Sequence, residues 1–387
     1  MRSEHFTKDS PGKLIQCRTK DGQAYTAFVP DTAFPSLAYD PALVRKIAQA
    51  ELALGKLHSP SEALLNADLL AYAYIRREAE SSSRIEGTVT TLGQLLLFEV
   101  DARAPDVPPD AREVHNYVRA LNFGLEKLPI RRLSLFGIRE LHQILLEDVR
   151  GQDFHPGRLR QTQVYIGRRG IPISEATFVP PPPEQVPPLL EQWARQHQES
   201  SHHPELVQIA VSHYLFEAIH PFEDGNGRIG RLLILLLLCE RRLLNKPLLY
   251  LSAYFERHRE DYYHLLRAVS ERGAWNEWLE FFVDAVIAQA DEAVTKAHAL
   301  SALRDRIKQR ILAAQPKARA TLLEFVDVLF RSPYLTSSSA ARTSGLSAQV
   351  VNSYLKTLLR LGILEEITGH YHHRIYRAGE ILKALES

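Results

Sequence analysis

The stretch HPFEDGNGRIGR, running from His220 to Arg231, holds one histidine, two carboxylates, an asparagine, three glycines and two arginines. It contains a literal G-x-G-x-x-G, so a dinucleotide fold has to be considered first. That fingerprint follows a strand and has an acid about twenty residues further on. Here the preceding apolar positions, 206/207, 210/211, 214/215 and 218, share one helical face, and no acid follows the glycines at the required distance before Glu256. There is no G-x-x-x-x-G-K-[ST] in the chain either. Both nucleotide-fold readings fail, which leaves helix, tight glycine loop, helix. Gly225 and Gly227 let the backbone turn sharply and present successive N–H groups at the start of a second, apolar helix, LLILLLLC at 232–239. Fixed N–H groups at a helix start bind anions. Arg228 and Arg231, three apart, suit a polyphosphate. Asp224 is a hard oxygen ligand for Mg²⁺, and His220 is a titratable base at the same loop. The parts together point to phosphoryl or nucleotidyl transfer.

Outward from this loop, 387 residues allow two or three domains. A net charge of +1 gives no global attraction to nucleic acid or membrane. Cys17 and Cys239 stand far apart and outside any metal-ligand spacing, which fits reduced structural thiols. The N-terminus MRSEHFTKDS lacks a signal-peptide core, and LLILLLLC is too short to span a bilayer; a cytoplasmic, non-membrane protein is expected. Residues 1–40 read as irregular, with YTAFVP the one strand-like run. Helical spacing begins near Pro41, breaks over 101–111 and resumes through two further segments. RLRQTQVYIGRRGIPISEATFVPPPP reads as a hairpin turning near Gly167–Gly170. Residues 301–387 hold 13 Lys/Arg against 7 Asp/Glu. Their pattern of helix, glycine turn, amphipathic helix and hairpin predicts a winged helix-turn-helix. The expected division is an N-terminal region (1–110), a catalytic domain (111–300) and a winged-helix domain (301–387), in a mainly α fold.

The loop residues match at every defined position the motif H-P-F-x-[DE]-G-N-G-R-x-x-R, and on it the chain resembles the Fic family, most clearly from about 110 to 290. The resemblance implies a helical Fic fold with a β-hairpin flap, and transfer of AMP from ATP to a Ser, Thr or Tyr hydroxyl of a target protein. It implies that His220 takes the hydroxyl proton and that Asp224 holds Mg²⁺. Asn226 and the N–H groups of 225–228, Gly225 and Gly227 among them, would cradle the α- and β-phosphates. Arg228 and Arg231 would neutralise the triphosphate. A related, phosphorylating branch carries Lys where this chain has Gly227, so the glycine favours AMP transfer.

A second stretch, SSSRIEG at 81–87, resembles the family's inhibitory motif [ST]-x-x-x-E-[GN], with Ser82 and Glu86 at its defined positions. Glu86 is expected to pair with Arg231 in place of the γ-phosphate, with Ser82 steadying the helix end. Val164, Tyr165, Ile166 and Gly167 fall where the family's flap lays down the target segment. Tyr263 matches the aromatic residue of the adenine site, Ser270 stands where relatives often carry asparagine, and Tyr262, Trp275 and Trp278 read as core. Self-modification and a homodimer are further expectations. For the C-terminal domain, protein docking is favoured over DNA contact through Gln349, Asn352, Ser353 and Lys356. Competing readings are a DNA-binding regulator using the fold as a nucleotide sensor, and a Fic-fold enzyme that transfers another nucleotide or removes AMP.

Overall fold

The computed structural model describes residues 1, 3–19, 21–58, 67–127, 132–150, 152–168, 170–197, 201–315, 320–369 and 373–386. The chain opens with an antiparallel hairpin, β1 (Gly12–Arg18) and β2 (Ala24–Pro30), in register from Gly12 opposite Pro30 to Arg18 opposite Ala24. This corrects the expectation of an irregular start with a single strand. The turn signal is Asp21-Gly22, where Gly22 takes φ +84°. Helices follow: α1 (Pro41–His58), α2 (Ala67–Ile85) and α3 (Leu92–Val100). The start of α3 is closed by a reciprocal cap, the Thr91 side chain accepting from the Gln94 N–H while Gln94 accepts from Thr91. Then come α4 (Ala111–Lys127), α5 (Leu135–Leu145), α6 (Val186–Gln196), α7 (Glu205–Ile219), α8 (Asn226–Glu240), α9 (Ser252–Arg257), α10 (Arg259–Arg272) and α11 (Trp275–Ala314).

Two apolar cores organise these elements. The larger one gathers α1, α4, α5, α6, α7, α8 and the first half of α11 around residues such as Tyr117, Trp193, Phe216, Leu236 and Trp278. Helices α7 and α8 are buried on nearly every side, so the loop between them is held by two immobile rods. The second core joins the first turns of α2 and one face of α3 to the C-terminal part of the chain through Leu70, Tyr74, Leu96, Leu300, Phe325, Leu355 and Leu382. Tyr262 and Trp278 are core residues, as expected.

The C-terminal elements are α12 (Ala320–Arg331), β3 (Tyr334–Leu335), α13 (Ser337–Ser344), α14 (Ala348–Arg360), β4 (Glu365–Glu366), β5 (Tyr376–Arg377) and α15 (Gly379–Glu386). The three short strands pair antiparallel in the order β3-β5-β4. Gly345, in the left-handed conformation, turns α13 into α14, whose Gln349, Asn352, Ser353 and Lys356 are exposed. His370, Tyr371 and His372 of the expected wing lie outside the described residues. Helix α11 runs 40 residues without a break, so the boundary expected at residue 300 falls inside it.

The flap is more irregular than expected. Ile166 and Phe178 form one antiparallel bridge, with Ile166 N–H donating to the Phe178 carbonyl at 2.8 Å and Thr177 N–H donating to the Ile166 carbonyl at 2.8 Å. The turn therefore spans 167–177 and not 167–170. Pro172 and the prolines at 180–183 lack N–H donors, and Ile173 and Ala176 bury their side chains against Tyr25, Ala27 and Val179. Phe28 N–H donates to the Val179 carbonyl at 2.9 Å, which seats the flap on β2.

Candidate active site

His220 caps α7 in the left-handed conformation (φ +51°, ψ +63°), where a non-glycine residue is strained. A buried arginine, Arg160, holds that turn: its Nε donates to the His220 carbonyl at 2.8 Å and its Nη2 to the Pro181 carbonyl at 2.5 Å. The His220 imidazole contacts the Glu217 carbonyl through Nδ1 at 3.3 Å, which places the proton on Nδ1 and leaves Nε2 as the basic nitrogen. Burial, then the Arg160 charge, pushes its pKa down to about 4, so the ring is neutral near pH 7.

Gly225, at φ +77°, starts α8. The first helical bond runs from Ile229 N–H to the Gly225 carbonyl at 3.0 Å, which leaves the N–H groups of Asn226, Gly227 and Arg228 at the open helix end. Gly225 N–H itself is taken by Asp224 Oδ1 at 2.8 Å, so the nest has three donors and not the expected four. The Asn226 side chain turns away from the nest. Its Oδ1 accepts from Phe222 N–H at 2.8 Å and its Nδ2 donates to the Phe222 carbonyl at 2.9 Å. Asn226 therefore shapes the loop and offers the nest only its backbone.

Glu86 lies over this nest. An ideal Cβ built on Gly227 would overlap Glu86 Oε1, so the glycine leaves room for the carboxylate in this position. Arg231 donates through Nη2 to Glu86 Oε1 at 2.7 Å, and its Nε and Nη2 donate to Ser82 Oγ at 2.9 Å and the Ser82 carbonyl at 3.0 Å. Arg231 is buried, with a side chain 1% exposed, whereas that of Glu86 is 35% exposed. Burial works against ionising Glu86, but the Arg231 charge and hydrogen bond outweigh it and hold the carboxyl below its usual range.

Helix α2 presents this pair from a fixed position. Glu78 takes the Ser252 N–H at 3.0 Å and the Tyr117 hydroxyl at 3.1 Å, Tyr74 donates to the Ala293 carbonyl at 2.7 Å, and Arg76 pairs with Glu99 at 2.9 Å. Glu86 itself follows the last helical residue and precedes Gly87 at φ +95°.

Arg228 points elsewhere. It is buried and pairs with Glu113 of α4 at 3.3 Å and with Asp224 Oδ2 at 3.5 Å. Asp224, partly exposed, and Glu113 line a cleft of about 1030 Å³ together with Arg112, Asp148, Arg150 and Glu223. Among the described residues no preformed group of three or more His, Cys, Asp or Glu side chains surrounds a metal. The Asp224 carboxylate, partly exposed in this acid-lined cleft and beside an anion nest, is a donor of the kind Mg²⁺ uses when phosphates and waters complete its shell, so Asp224 fits that ion.

Tyr263, 42% exposed, feels the charges of both Glu86 and Arg231, so the structure brings it to the site. Ser270 is buried against the Tyr214 hydroxyl at 2.9 Å. Tyr165 and Ile166 of the flap are exposed.

His142 of α5 escaped the sequence reading. It is fully buried and stacks on Phe222 with ring centroids 3.7 Å apart. Its Nδ1 accepts from Gly157 N–H at 2.9 Å, which puts the proton on Nε2, and that N–H donates to the Asp224 carbonyl at 2.9 Å. A lone histidine on an amphipathic helix 82 residues from its partner gives no local signal. Burial lowers its pKa to about 4, and that of His213 to about 3. A lowered histidine favours the neutral form in the fold, so its stabilisation is complete above pH 6.5 and is lost as pH falls towards 4. For His142 this amounts to about 3 kcal/mol. Thermal unfolding followed from pH 7 to pH 4.5 is expected to show a steep fall below pH 6.5, less steep in His142→Gln; equal slopes would contradict the assignment.

The fold and this geometry have counterparts. Residues 44–126 match the Fic/DOC family N-terminal region and residues 132–238 the Fic/DOC family. The protein adenylyltransferase Fic of Drosophila grimshawi is 32% identical over 241 residues, 60% of this chain and 45% of that protein. The protein adenylyltransferase Fic of Drosophila persimilis is 29% identical over 298 residues, 75% of this chain and 52% of that protein. The chain thus spans about half the length of the curated relatives it matches. Among solved structures, a Fic family protein from Desulfovibrio desulfuricans G20 superposes with a TM-score of 0.59 at 23% identity, covering 89% of this chain and 98% of that one. A Fic domain containing signaling protein from Bacteroides thetaiotaomicron VPI-5482 gives 0.51 at 21% identity over 66% of this chain and 96% of that one. With the loop His220–Arg231 lying inside the second matched region, the chain carries a Fic/DOC family N-terminal region followed by a Fic/DOC domain.

Proposed function

We propose that this chain is an autoinhibited protein adenylyltransferase, moving AMP from ATP to a hydroxyl of a target protein and releasing pyrophosphate. The observation that carries the reading is Glu86, an anion built into the chain, seated over Gly227 and bonded to Arg231 where a nucleotide phosphate would lie. The names of the Drosophila relatives support the same reaction class.

In the reaction, neutral His220 takes the proton of the target hydroxyl on Nε2, and the oxygen attacks the α-phosphorus. The bond to the pyrophosphate oxygen breaks, and the nest N–H groups and Arg231 stabilise the charge that collects on the phosphates. Asp224 would hold Mg²⁺, which supplies further charge neutralisation when bound. Arg160 keeps the base at the loop. The segment Val164–Gly167, half-buried at Val164, exposed from Tyr165 on and fixed by its bridge to Phe178, offers an edge on which an extended target segment can be laid. Tyr263 is the ring on which the base would rest. A hydroxyl of the chain itself that reaches this edge would also be a target. No helix among the described residues is long and apolar enough to cross a membrane.

ATP labelled on the α-phosphate, then separately on the γ-phosphate, tests the reading with Mg²⁺ and the purified chain. Transfer of the α-label alone is expected; transfer of the γ-label would make the chain a kinase of this fold. His142→Ala frees the Asp224 carbonyl and one side of the loop. It is expected to lower transfer about 10- to 100-fold, the usual effect of losing a group that orients a metal ligand. Its Mg²⁺ requirement should rise more than its requirement for ATP; an unchanged requirement for both would remove His142 from this role.

A further inference from the structure

Glu217 lies on α7, one turn before His220. Its Oε1 is buried and has no hydrogen-bond partner among the described residues. An ideal Cβ on Gly230 would overlap that oxygen, so the carboxyl lies close against α8 at Gly230. The charged and titratable groups around it come from four helices. Helix α7 supplies His213, bonded to the Gly230 carbonyl at 3.1 Å, and His220. Helix α8 supplies Arg231 and α10 supplies Tyr262, with Tyr263 acting on Arg231; α2 supplies Glu78, which lines a small cavity with Arg231, and Glu86 follows its last residue.

Burial keeps both histidines neutral and both tyrosines protonated near pH 7. Arg231 is therefore the cation that Glu217 answers to, and Glu86 is the anion already bonded to that cation. If Glu86 swings away, a guanidinium that is 1% exposed loses its bonded counter-charge. An uncompensated buried charge is strongly unfavourable. Glu217 has a buried oxygen without a partner, and its charge acts on Arg231 across the site.

We propose that Glu217 is a stand-in for Glu86: it gives up a proton when Glu86 leaves Arg231, and its carboxylate then keeps the guanidinium in place. It is a positioning residue acting through Arg231, and the proposal rests on the autoinhibited reading above. Burial raises the Glu217 pKa to about 7, with Arg231 opposing the rise and Glu86 adding to it. Taking Glu86 away removes one of the two causes that raise it, so the titration must move down, and release of Glu86 expels a proton. Binding of a triphosphate restores a negative charge beside Glu217 and takes the proton back up. In a chain without Glu86, ATP affinity therefore falls as pH rises through 7, by up to about tenfold per pH unit for one linked proton.

The test titrates the Glu217 carboxyl by ¹³C NMR in the nucleotide-free, full-length wild type, Glu86→Gly and Glu86→Gln, with Glu217→Gln used for assignment. A midpoint near 7 in the wild type that drops by a unit or more in both Glu86 variants is expected. The same midpoint in all three overturns the proposal, whether or not the chain transfers AMP. A second arm measures Mg²⁺-ATP binding from pH 6 to 8 in Glu86→Gly and in Glu86→Gly/Glu217→Gln. The single variant should lose affinity over this range relative to the double variant, and parallel profiles count against the proposal. Absence of ATP binding in every variant would defeat the nucleotide reading instead, while the titration still decides the role of Glu217.

Discussion

Glu86→Gly is expected to raise AMP transfer between about 5-fold and 150-fold, the span of a 1–3 kcal/mol coupling between two occupants of one site. The direction follows from what the substitution removes and what it keeps. The carboxylate over Gly227 goes, and with it the bond to Arg231 Nη2. Ser82 still holds Arg231 through its hydroxyl and carbonyl, so the guanidinium stays at the nest and is free to meet a phosphate. Helix α2 is tied to α3, α4, α9 and α11 by hydrogen bonds and ion pairs that the change does not touch. Glu86 sits just past the helix end, beside a glycine, so a second glycine there costs at most about 1 kcal/mol. Glu86→Gln separates charge from bulk: it keeps the side chain's size, drops the ion pair and should be activated less than glycine. Initial rates with α-labelled ATP at saturating Mg²⁺ measure all three chains. Equal rates in wild type and both variants would falsify the inhibitory role of Glu86.

How this site was legible depends on where its residues come from. The twelve residues from His220 to Arg231 build a helix end, a nest and a base in one uninterrupted run, so their chemistry could be read without knowing the fold. Ser82 and Glu86 lie within one helical turn, and the reciprocal match of carboxylate and guanidinium made Arg231 their partner. The residues that support the loop left no such trace. Arg160 reaches the His220 carbonyl from 60 positions away, His142 reaches Asp224 from 82, and Glu113 reaches Arg228 from 115. Each is a single polar residue in a segment whose pattern speaks only of helix or loop, and only the packing of α4, α5 and the flap segment brings them in.

The fold shows the same division. Helices with strong apolar spacing were placed, because burial on one face dictates the spacing. Of the β1–β2 hairpin the sequence shows only β2, as YTAFVP: β1 has no buried residue, and so little alternation to read. The turn of the flap is longer than its glycines suggest because its ladder is limited by prolines, a property of missing donors and not of turn residues. Residue 300 looked like a boundary because the charge balance changes there, yet the segment from Trp275 to Ala314 has no glycine or proline to end a helix.

His220→Ala is expected to lower AMP transfer by about 10²- to 10⁴-fold, the usual contribution of a positioned general base, while ATP binding stays within a few fold. The second half of this expectation follows from geometry. The nest N–H groups, Arg231 and Tyr263 do not depend on the imidazole, and the Arg160 bond is to the backbone carbonyl of residue 220, which alanine retains. Alanine also sits less readily at φ +51° than a longer polar residue, so His220→Asn is the companion that keeps the turn. Both variants should be equally inactive if the proton acceptor is what matters. The pH dependence makes a sharper test. A solvent-exposed histidine would lose activity as pH falls through 6.5, whereas His220, held neutral by burial and by Arg160, carries its proton only near pH 4. In the Glu86→Gly background at saturating Mg²⁺-ATP, kcat is therefore expected to stay level between about pH 5.5 and 7.5. A fall centred on 6.5 that disappears in neither base variant would assign the titration to another group. A fall there in the parent alone would mean that the active loop opens His220 to water, and that the burial of the inhibited state is itself released with Glu86.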